Sequence, residues 1–231
     1  MSMSSELTSV IQQACGPQHT ATVFFLHGLG DSGEGWAPAA DQIRKAMPHV
    51  KFILPNAPVR PITINGGYHM PGWFDIFELG HLERMLGAGE DEAGILNSMT
   101  SISRLIRDEV NSGIPAQRIV VGGFSQGCAI ALATSLTSEY KFAGIIGLSG
   151  FVPSRNKILS MAADANKTTP IFLAHGNADE VIPFEIGKMT SELLTSKGYN
   201  VTFKSYPRLG HTFGTAEARD MTAFLQQVIP Y

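Results

Sequence analysis

The stretch Ile119-Val120-Val121-Gly122-Gly123-Phe124-Ser125-Gln126-Gly127 passes from an apolar, β-branched run into a pentapeptide of the form Gly-x-Ser-x-Gly. A run typical of a helix, Ala129-Ile130-Ala131-Leu132-Ala133, follows one residue later. A serine on a sharp turn between strand and helix adopts strained backbone angles, which only small neighbours permit. The stretch therefore predicts a strand, a tight turn at Ser125 that exposes its hydroxyl, and a helix whose N-terminus points at that hydroxyl.

Short β-branched or aromatic runs alternate with helical patterns along the rest of the chain. Strands are predicted at residues 22–26, 51–54, 118–121, 143–148, 170–174 and 201–206. Helices are predicted at residues 34–46, 91–110, 126–137, 184–196 and 216–228. Several strands are apolar on both faces, as in parallel sheets covered by helices. We expect one α/β domain over residues 1–231, with a mostly parallel, doubly wound sheet and an irregular segment at 57–89.

Composition excludes several classes of partner and cofactor. The 17 basic and 20 acidic residues give a net charge of −3, which offers no basic surface for nucleic acid. The two cysteines, Cys15 and Cys128, lie far apart without metal-ligand spacing, so we expect neither a disulfide framework nor a zinc site. We also expect no other metal and no cofactor. No segment resembles a signal peptide or a transmembrane helix. These features favour a soluble, cytoplasmic protein, with access to the nucleus left open and at most transient contact with a membrane surface.

If Ser125 is a nucleophile, it needs a histidine base and a carboxylate, which follow it in the order acid, then histidine, on this type of sheet. Only His175 and His211 follow Ser125, and His175 precedes the plausible acid. His211 follows the last predicted strand. Asp179 follows the strand at 170–174 and is the favoured acid, with Glu180 as the near alternative. A lone loop His or Asp is more often an ordinary capping or turn residue, so the joint order carries this prediction.

An oxyanion hole requires the N–H after the nucleophile and a second N–H from the loop after an early strand. Gln126 supplies the first N–H. The second is expected from Leu29 in His27-Gly28-Leu29-Gly30, where glycines allow close approach of the backbone to a ligand. The alternative, a phosphate-binding glycine loop, lacks the required spacing. His27 and His175 each precede a glycine after a strand, and we interpret them as packing or hydrogen-bonding residues.

These residues resemble the acyl-protein thioesterase and lysophospholipase branch of the α/β-hydrolases, the carboxylesterases without a large cap domain. The resemblance rests on motifs throughout the chain: residues 27–33, 55–58, 73–75, 113–119, 122–127, 175–179 and 210–211. It implies the α/β-hydrolase fold, Ser125, Asp179 and His211 as catalytic residues, and Leu29 and Gln126 as the oxyanion hole. The implied substrates are S-palmitoylated proteins and lysophospholipids. The chain departs from the family pattern at Cys128, Asn177 and Glu180, which puts loop rigidity and substrate preference in doubt rather than the reaction.

An enzyme for long acyl groups needs an apolar channel, because each buried methylene contributes about 0.8 kcal/mol. The segment 57–89 is our candidate for its lining, and the residues expected to line it are Met70, Trp73, Phe74, Phe77 and Leu79. That these side chains only fill the core is an equally weighted alternative. Three functions remain open: a depalmitoylating serine thioesterase, a lysophospholipase or general carboxylesterase, and a ligand-binding protein without turnover. We expect a monomer or a weak homodimer.

Overall fold

A computed structural model describes residues 7–77 and 90–231. Its nine strands are β1 (Ser9–Gln12), β2 (Ala21–Leu26), β3 (Val50–Pro55), β4 (Val59–Ile62), β5 (Tyr68–Pro71), β6 (Ile119–Phe124), β7 (Gly144–Leu148), β8 (Pro170–Gly176) and β9 (Asn200–Tyr206). The α-helices are α1 (Gly33–Ala46), α2 (Glu92–Asn111), α3 (Gln126–Thr137), α4 (Arg155–Ser160), α5 (Phe184–Ser196) and α6 (Thr215–Val228). All six predicted strands and all five predicted helices are confirmed, with bounds shifted by up to three residues.

Seven strands form the central sheet in the order β1-β3-β2-β6-β7-β8-β9. All neighbours pair in parallel except β1, which is antiparallel to β3 at the edge. The strand order reverses between β2 and β6, and such a switch point opens a crevice at the carboxyl ends of the strands. The loop after β2 and the turn after β6 therefore meet at the place where this fold class binds ligands.

Helices cover both faces of the sheet, as predicted, and each face has its own core. One core joins α2 and α3 to the sheet, and the other lies under α1 and α6. In α3 the residues from Gln126 to Leu136 are all buried, since an apolar helix must be covered on every side. This helix packs directly behind Ser125 and is the most enclosed helix of the described chain. Within the described ranges, no helix is both long and apolar enough to cross a membrane.

The segment predicted to be irregular at 57–89 is partly regular. Strands β4 and β5 pair as an antiparallel hairpin, with a short 3-10 helix between them at Thr63–Asn65. The prediction missed this hairpin because its strands are only four residues long and contain Pro61 and Pro71, which weaken any strand pattern. Residues 78–89 lie outside the described part of the chain, and so does the predicted lining residue Leu79.

Candidate active site

The turn at Ser125 has the strain that the sequence predicts. Ser125 lies between the end of β6 and the first residue of α3. Its backbone has φ 55° and ψ −120°, a conformation that residues other than glycine rarely adopt. A Cβ on Gly123 would stand 2.5 Å from the Gly127 carbonyl, and one on Gly127 would stand 2.2 Å from the Leu26 carbonyl oxygen. Both glycines are therefore required by backbone contacts. The strain and the close packing together hold the serine hydroxyl above the sheet edge.

Ser125, His211 and Asp179 form one continuous chain of hydrogen bonds. The Ser125 hydroxyl and His211 Nε2 are 2.8 Å apart, and His211 Nδ1 lies 2.7 Å from Asp179 Oδ2. An ionised carboxylate only accepts, so Nδ1 carries the proton and Nε2 of the neutral ring accepts from the serine. Asp179 follows β8 and His211 follows β9. The structure thus brings together the three residues that the chain order singles out, in the geometry of a nucleophile, its base and an orienting acid.

Asp179 is held as a buried carboxylate. Its Oδ1 accepts hydrogen bonds from the N–H groups of Val181 and Ile182, at 2.9 and 2.8 Å. Burial by itself raises the pKa of Asp179, but hydrogen bonds from His175, His211 and the Ile182 amide outweigh burial and hold the pKa well below its usual range. His175 donates through Nε2 to the Ile182 carbonyl at 2.8 Å and lies 3.4 Å from Asp179 Oδ2. This agrees with our interpretation of His175 as a hydrogen-bonding residue.

The loops that carry Asp179 and His211 are bonded to each other. The Asn177 side chain accepts a hydrogen bond from the Arg208 N–H at 2.7 Å, and the Ala178 N–H donates to the Leu209 carbonyl at 3.0 Å. A Cβ on Gly176 would stand 2.2 Å from the Leu209 carbonyl oxygen, so the loops pack without space between them. Asn177, which departs from the family pattern, therefore has a positional role that sequence reasoning did not find.

The predicted oxyanion-hole segments lie on both sides of Ser125. Gln126 is the first residue of α3, where backbone N–H groups have no partner inside the helix. Across the crevice, a Cβ on Gly28 would stand 3.3 Å from Ser125 Cβ, so the loop that carries Leu29 passes beside the nucleophile. His27 is buried with both ring nitrogens bonded. Nδ1 donates to the Gly28 carbonyl, and Nε2 accepts from the Ala57 N–H, which agrees with its interpretation as a hydrogen-bonding residue.

The expectation that Trp73 and Phe74 line an open channel is wrong for this structure. Trp73 is fully buried and Phe74 is 4% exposed, and both belong to the core between the sheet and α2. Of the other lining candidates, Met70 is half-buried with its sulfur 3.8 Å from where a Cβ on Gly30 would lie. Phe77 is 49% exposed and is free to contact a ligand. The pattern of large apolar residues could not distinguish these cases, because core and channel favour the same residue types.

An aromatic cluster lies behind His211 and was not predicted from the sequence. The ring centroids of Phe124 and His211 are 4.9 Å apart. Phe124 also contacts Trp36, and the ring centroids of Trp36 and Phe213 are 5.1 Å apart. These rings come from α1, β6 and the loop after β9, so only tertiary structure brings them together. The one available signal was Phe124 itself, inside the pentapeptide. The cluster supports one side of the imidazole and shields it from water.

The other departures from the family pattern leave this site intact. Cys128 is buried in α3, where burial raises the pKa of its thiol far above the ordinary range, so it stays a neutral thiol. Glu180 is exposed. Within the part of the chain that the structure describes, the Asp179 carboxylate is hydrogen-bonded to Val181, Ile182 and His211 and not to Glu180. In residues 7–77 and 90–231, no group of three or more His, Cys, Asp or Glu could hold a metal ion.

The parallel sheet, the strained turn at Ser125 and the absence of a large cap among the described residues define an α/β-hydrolase. The family model described as phospholipase/carboxylesterase matches residues 8–229, and the chain belongs to this family. The resemblance noted from the sequence motifs is therefore confirmed.

Curated relatives and solved structures agree with this membership. The chain is 49% identical to acyl-protein thioesterase 1 of Neurospora crassa, over 92% of this chain and 89% of that protein. It is 47% identical to acyl-protein thioesterase 1 of Yarrowia lipolytica, over 91% and 93% of the two chains. Among solved structures, Zea mays acyl-protein thioesterase 2 superposes with a TM-score of 0.84 at 30% identity, covering 96% of this chain and 99% of that one. Arabidopsis thaliana SOBER1 gives 0.83 at 31% identity, over 91% and 99%.

Proposed function

We propose that this chain is a serine hydrolase that cleaves thioesters, chiefly S-palmitoyl groups on acylated proteins, through an acyl-enzyme on Ser125. The observation that carries the proposal is the hydrogen-bonded chain from Ser125 Oγ through His211 to Asp179, with distances of 2.8 and 2.7 Å. Asp179 and His211 are the other catalytic residues. The N–H groups of Leu29 and Gln126 form the oxyanion hole.

In the first step, Ser125 Oγ attacks the thioester carbonyl while His211 Nε2 takes the serine proton. The carbonyl oxygen becomes an oxyanion and accepts hydrogen bonds from Leu29 and Gln126. Asp179 remains ionised, because its low pKa favours the carboxylate, and it stabilises the imidazolium that forms. The C–S bond then breaks, His211 returns the proton to the departing thiolate, and the acyl group stays on Ser125.

In the second step, water hydrolyses the acyl-enzyme. His211 Nε2 removes a proton from the water as its oxygen attacks the ester carbonyl, and the oxyanion forms again in the same hole. Collapse of the tetrahedral intermediate breaks the bond to Ser125 Oγ, which recovers its proton from His211. The products are a fatty acid and the free cysteine of the protein, and the enzyme returns to its initial state.

The substrate class is inferred from the relatives named acyl-protein thioesterase 1, which share 40 to 49% of their residues with this chain. We propose the cytoplasm as the compartment of action, with access to the nucleus. Two free cysteines, one exposed and one buried, suit a reducing environment. The exposed Phe77 and the half-buried Met70 are our remaining described candidates for contact with the acyl chain.

A lysophospholipase or general carboxylesterase activity is the second candidate, favoured by the description of the matching family model. The same Ser125 chemistry cleaves an oxygen ester, so the site geometry favours neither. A panel of S-palmitoyl peptide, lysophosphatidylcholine and p-nitrophenyl esters separates the two. The thioesterase proposal expects the highest kcat/KM on the S-palmitoyl peptide, and a higher value on lysophosphatidylcholine would replace it with the second candidate.

Labelling by a fluorophosphonate tests whether Ser125 is a nucleophile at all. We expect wild type to be labelled and Ser125→Ala to be unlabelled. Ser101→Ala is the matched control, since this half-buried serine lies on α2 and its hydroxyl donates to the Asn97 carbonyl in its own helix. If wild type binds the panel substrates without labelling or turnover, the chain is a binding protein and the catalytic proposal fails.

A further inference from the structure

Trp73 is bonded to both segments that carry the proposed oxyanion donors. Its backbone N–H donates to Gln126 Oε1 at 2.8 Å, and its indole Nε1–H donates to the His27 carbonyl at 2.8 Å. Its own carbonyl accepts a hydrogen bond from Ser98 Oγ on α2. Trp73 is fully buried, so none of these bonds competes with bulk water. A residue that contacts no open channel therefore links three separate parts of the site.

The Gln126 side chain completes this link on the side of the nucleophile. Its Nε2 donates to the Phe74 carbonyl at 2.7 Å, while Oε1 accepts from the Trp73 N–H. Backbone groups of fixed polarity thus determine the orientation of the amide. The side chain is 3% exposed. Gln126 therefore holds the first residue of α3 against residues 73–74 by two parallel hydrogen bonds, while its own N–H remains at the helix start beside Ser125.

The loop on the other side is held by the His27 carbonyl. This carbonyl accepts the Trp73 indole, and the His27 ring is fixed by the Gly28 carbonyl and the Ala57 N–H. Gly28 and Leu29 follow directly. One buried residue, Trp73, is therefore hydrogen-bonded to the residue that provides one oxyanion donor and to a residue two positions before the other. These bonds connect the two segments that carry the proposed oxyanion donors.

We propose that Trp73 and the Gln126 side chain are positioning residues that set the separation of the Leu29 and Gln126 N–H groups. The proposal rests on the proposed function, because it concerns the oxyanion hole of that reaction. Neither side chain contacts the substrate. They act on the transition state, whose oxyanion both donors must reach at once, and have little effect on ground-state binding.

Two substitutions separate this role from substrate contact. Gln126→Met removes both side-chain hydrogen bonds and keeps the length of the side chain and the backbone N–H. Trp73→Phe removes the bond to His27 and keeps an aromatic ring, though a smaller one, and the backbone N–H that donates to Gln126. Loss of one oxyanion donor typically lowers kcat by about 100-fold to 1000-fold, so a displaced donor is expected to lower kcat by at least about tenfold. KM for p-nitrophenyl acetate should stay within about twofold, since uniform binding is unchanged.

Two further readouts exclude a merely structural effect. A trifluoromethyl ketone forms a tetrahedral oxyanion on the serine, and its affinity should fall by the same factor as kcat in both variants. In Gln126→Glu, a protonated carboxyl would accept from Trp73 and donate to Phe74, whereas the ionised form cannot donate. The kcat of Gln126→Glu relative to wild type should therefore rise as pH falls from about 8 to about 5.

The control is Gln12→Met, which removes a comparable bond, from Gln12 Nε2 to the Ala37 carbonyl at 2.8 Å, on the edge strand β1. All rates are expressed per active site titrated with fluorophosphonate, so a smaller folded fraction does not count as a loss of kcat. The positioning proposal is overturned if wild type is active while Gln126→Met and Trp73→Phe keep kcat within twofold, or raise KM alone. If wild type itself is neither labelled nor active, the proposed function fails and this proposal fails with it.

Discussion

Asn177 Oδ1 accepts a hydrogen bond from the backbone N–H of Arg208 at 2.7 Å, and this bond joins the loop that carries Asp179 to the loop that carries His211. Arg208 has φ 61°, a left-handed conformation that is costly for a non-glycine residue. The hydrogen bond helps to offset that cost. We therefore expect Asn177 to control how well His211 is aligned with its two partners.

Removal of this bond should reduce turnover more than stability. Asn177→Ala is expected to lower kcat about fivefold to tenfold, because a poorly held general base loses part of a contribution of about 100-fold or more. Asn177→Asp keeps an acceptor at the same position and should retain most of the activity. Steady-state kinetics of both variants test this. An equal loss in Asn177→Asp and Asn177→Ala would show that the acceptor is not what matters.

Gly127→Ala should disrupt the turn at Ser125. The added methyl group would stand 2.2 Å from the Leu26 carbonyl oxygen, a contact with backbone that no side-chain rotation relieves. Overpacking of this kind costs about 1–3 kcal/mol or more, and any shift of α3 also moves Ser125. We expect a lower Tm together with loss of fluorophosphonate labelling. In Gly210→Ala the nearest atom is 3.7 Å from the new methyl group, so its Tm should stay close to wild type.

Much of the fold could be predicted because its strands and helices follow the hydrophobic pattern closely. The parallel strands β2, β6 and β7 are buried on both faces and read as continuous apolar runs. The antiparallel strand β1 was not predicted because its four residues, with two apolar side chains between two polar ones, form neither an alternating pattern nor a long apolar run. The strand gains its order from pairing with β3. Its existence depends on a tertiary contact, which local sequence does not encode.

The candidate site likewise contains residues that the sequence predicts and residues that it does not. Ser125, Asp179 and His211 were accessible to sequence reasoning, because each follows a strand whose end lies at one sheet edge. The roles of Trp73 and Asn177 were not, since their hydrogen bonds join residues 53 and 31 positions apart. A large apolar residue in a Gly-rich and Pro-rich segment suggested substrate contact. Burial against α2 shows that Trp73 belongs to the framework behind the site instead.

Substitution of Phe77 tests whether this exposed side chain contacts the acyl chain of the substrate. Phe77→Asp is expected to lower kcat/KM on long-chain p-nitrophenyl esters about fivefold to thirtyfold, since loss of an apolar contact with one or two methylenes is worth about 1–2 kcal/mol. Activity on the acetyl ester should change less than twofold. Ile11→Asp alters a similarly exposed apolar residue, 52% against 49%, on the edge strand β1, and should affect neither substrate. Equal losses on both chain lengths would remove Phe77 from the acyl-binding surface.

The buried carboxyl group of Glu217 on α6 should make the stability of the protein depend on pH. The carboxyl group is fully buried, its Oε1 has no partner, and its Oε2 accepts only a long bond of 3.4 Å from the Gly214 N–H. Burial raises the pKa of Glu217 to about 7 from an ordinary value of 4.5, and the Gly214 bond and the charge of His175 offset only part of this effect.

Because the folded chain keeps this proton where the unfolded chain has lost it, the free energy of unfolding should fall as pH rises from 4.5 to about 7. At 1.36 kcal/mol per pKa unit, Glu217 contributes up to about 3 kcal/mol to this decrease. Glu217→Gln cannot ionise and should therefore gain stability over wild type progressively across that window. Urea unfolding at several pH values measures the difference. Glu192→Gln, on an exposed face of α5, should follow the wild-type pH profile. A constant offset between Glu217→Gln and wild type at every pH would mean that Glu217 does not titrate in this range.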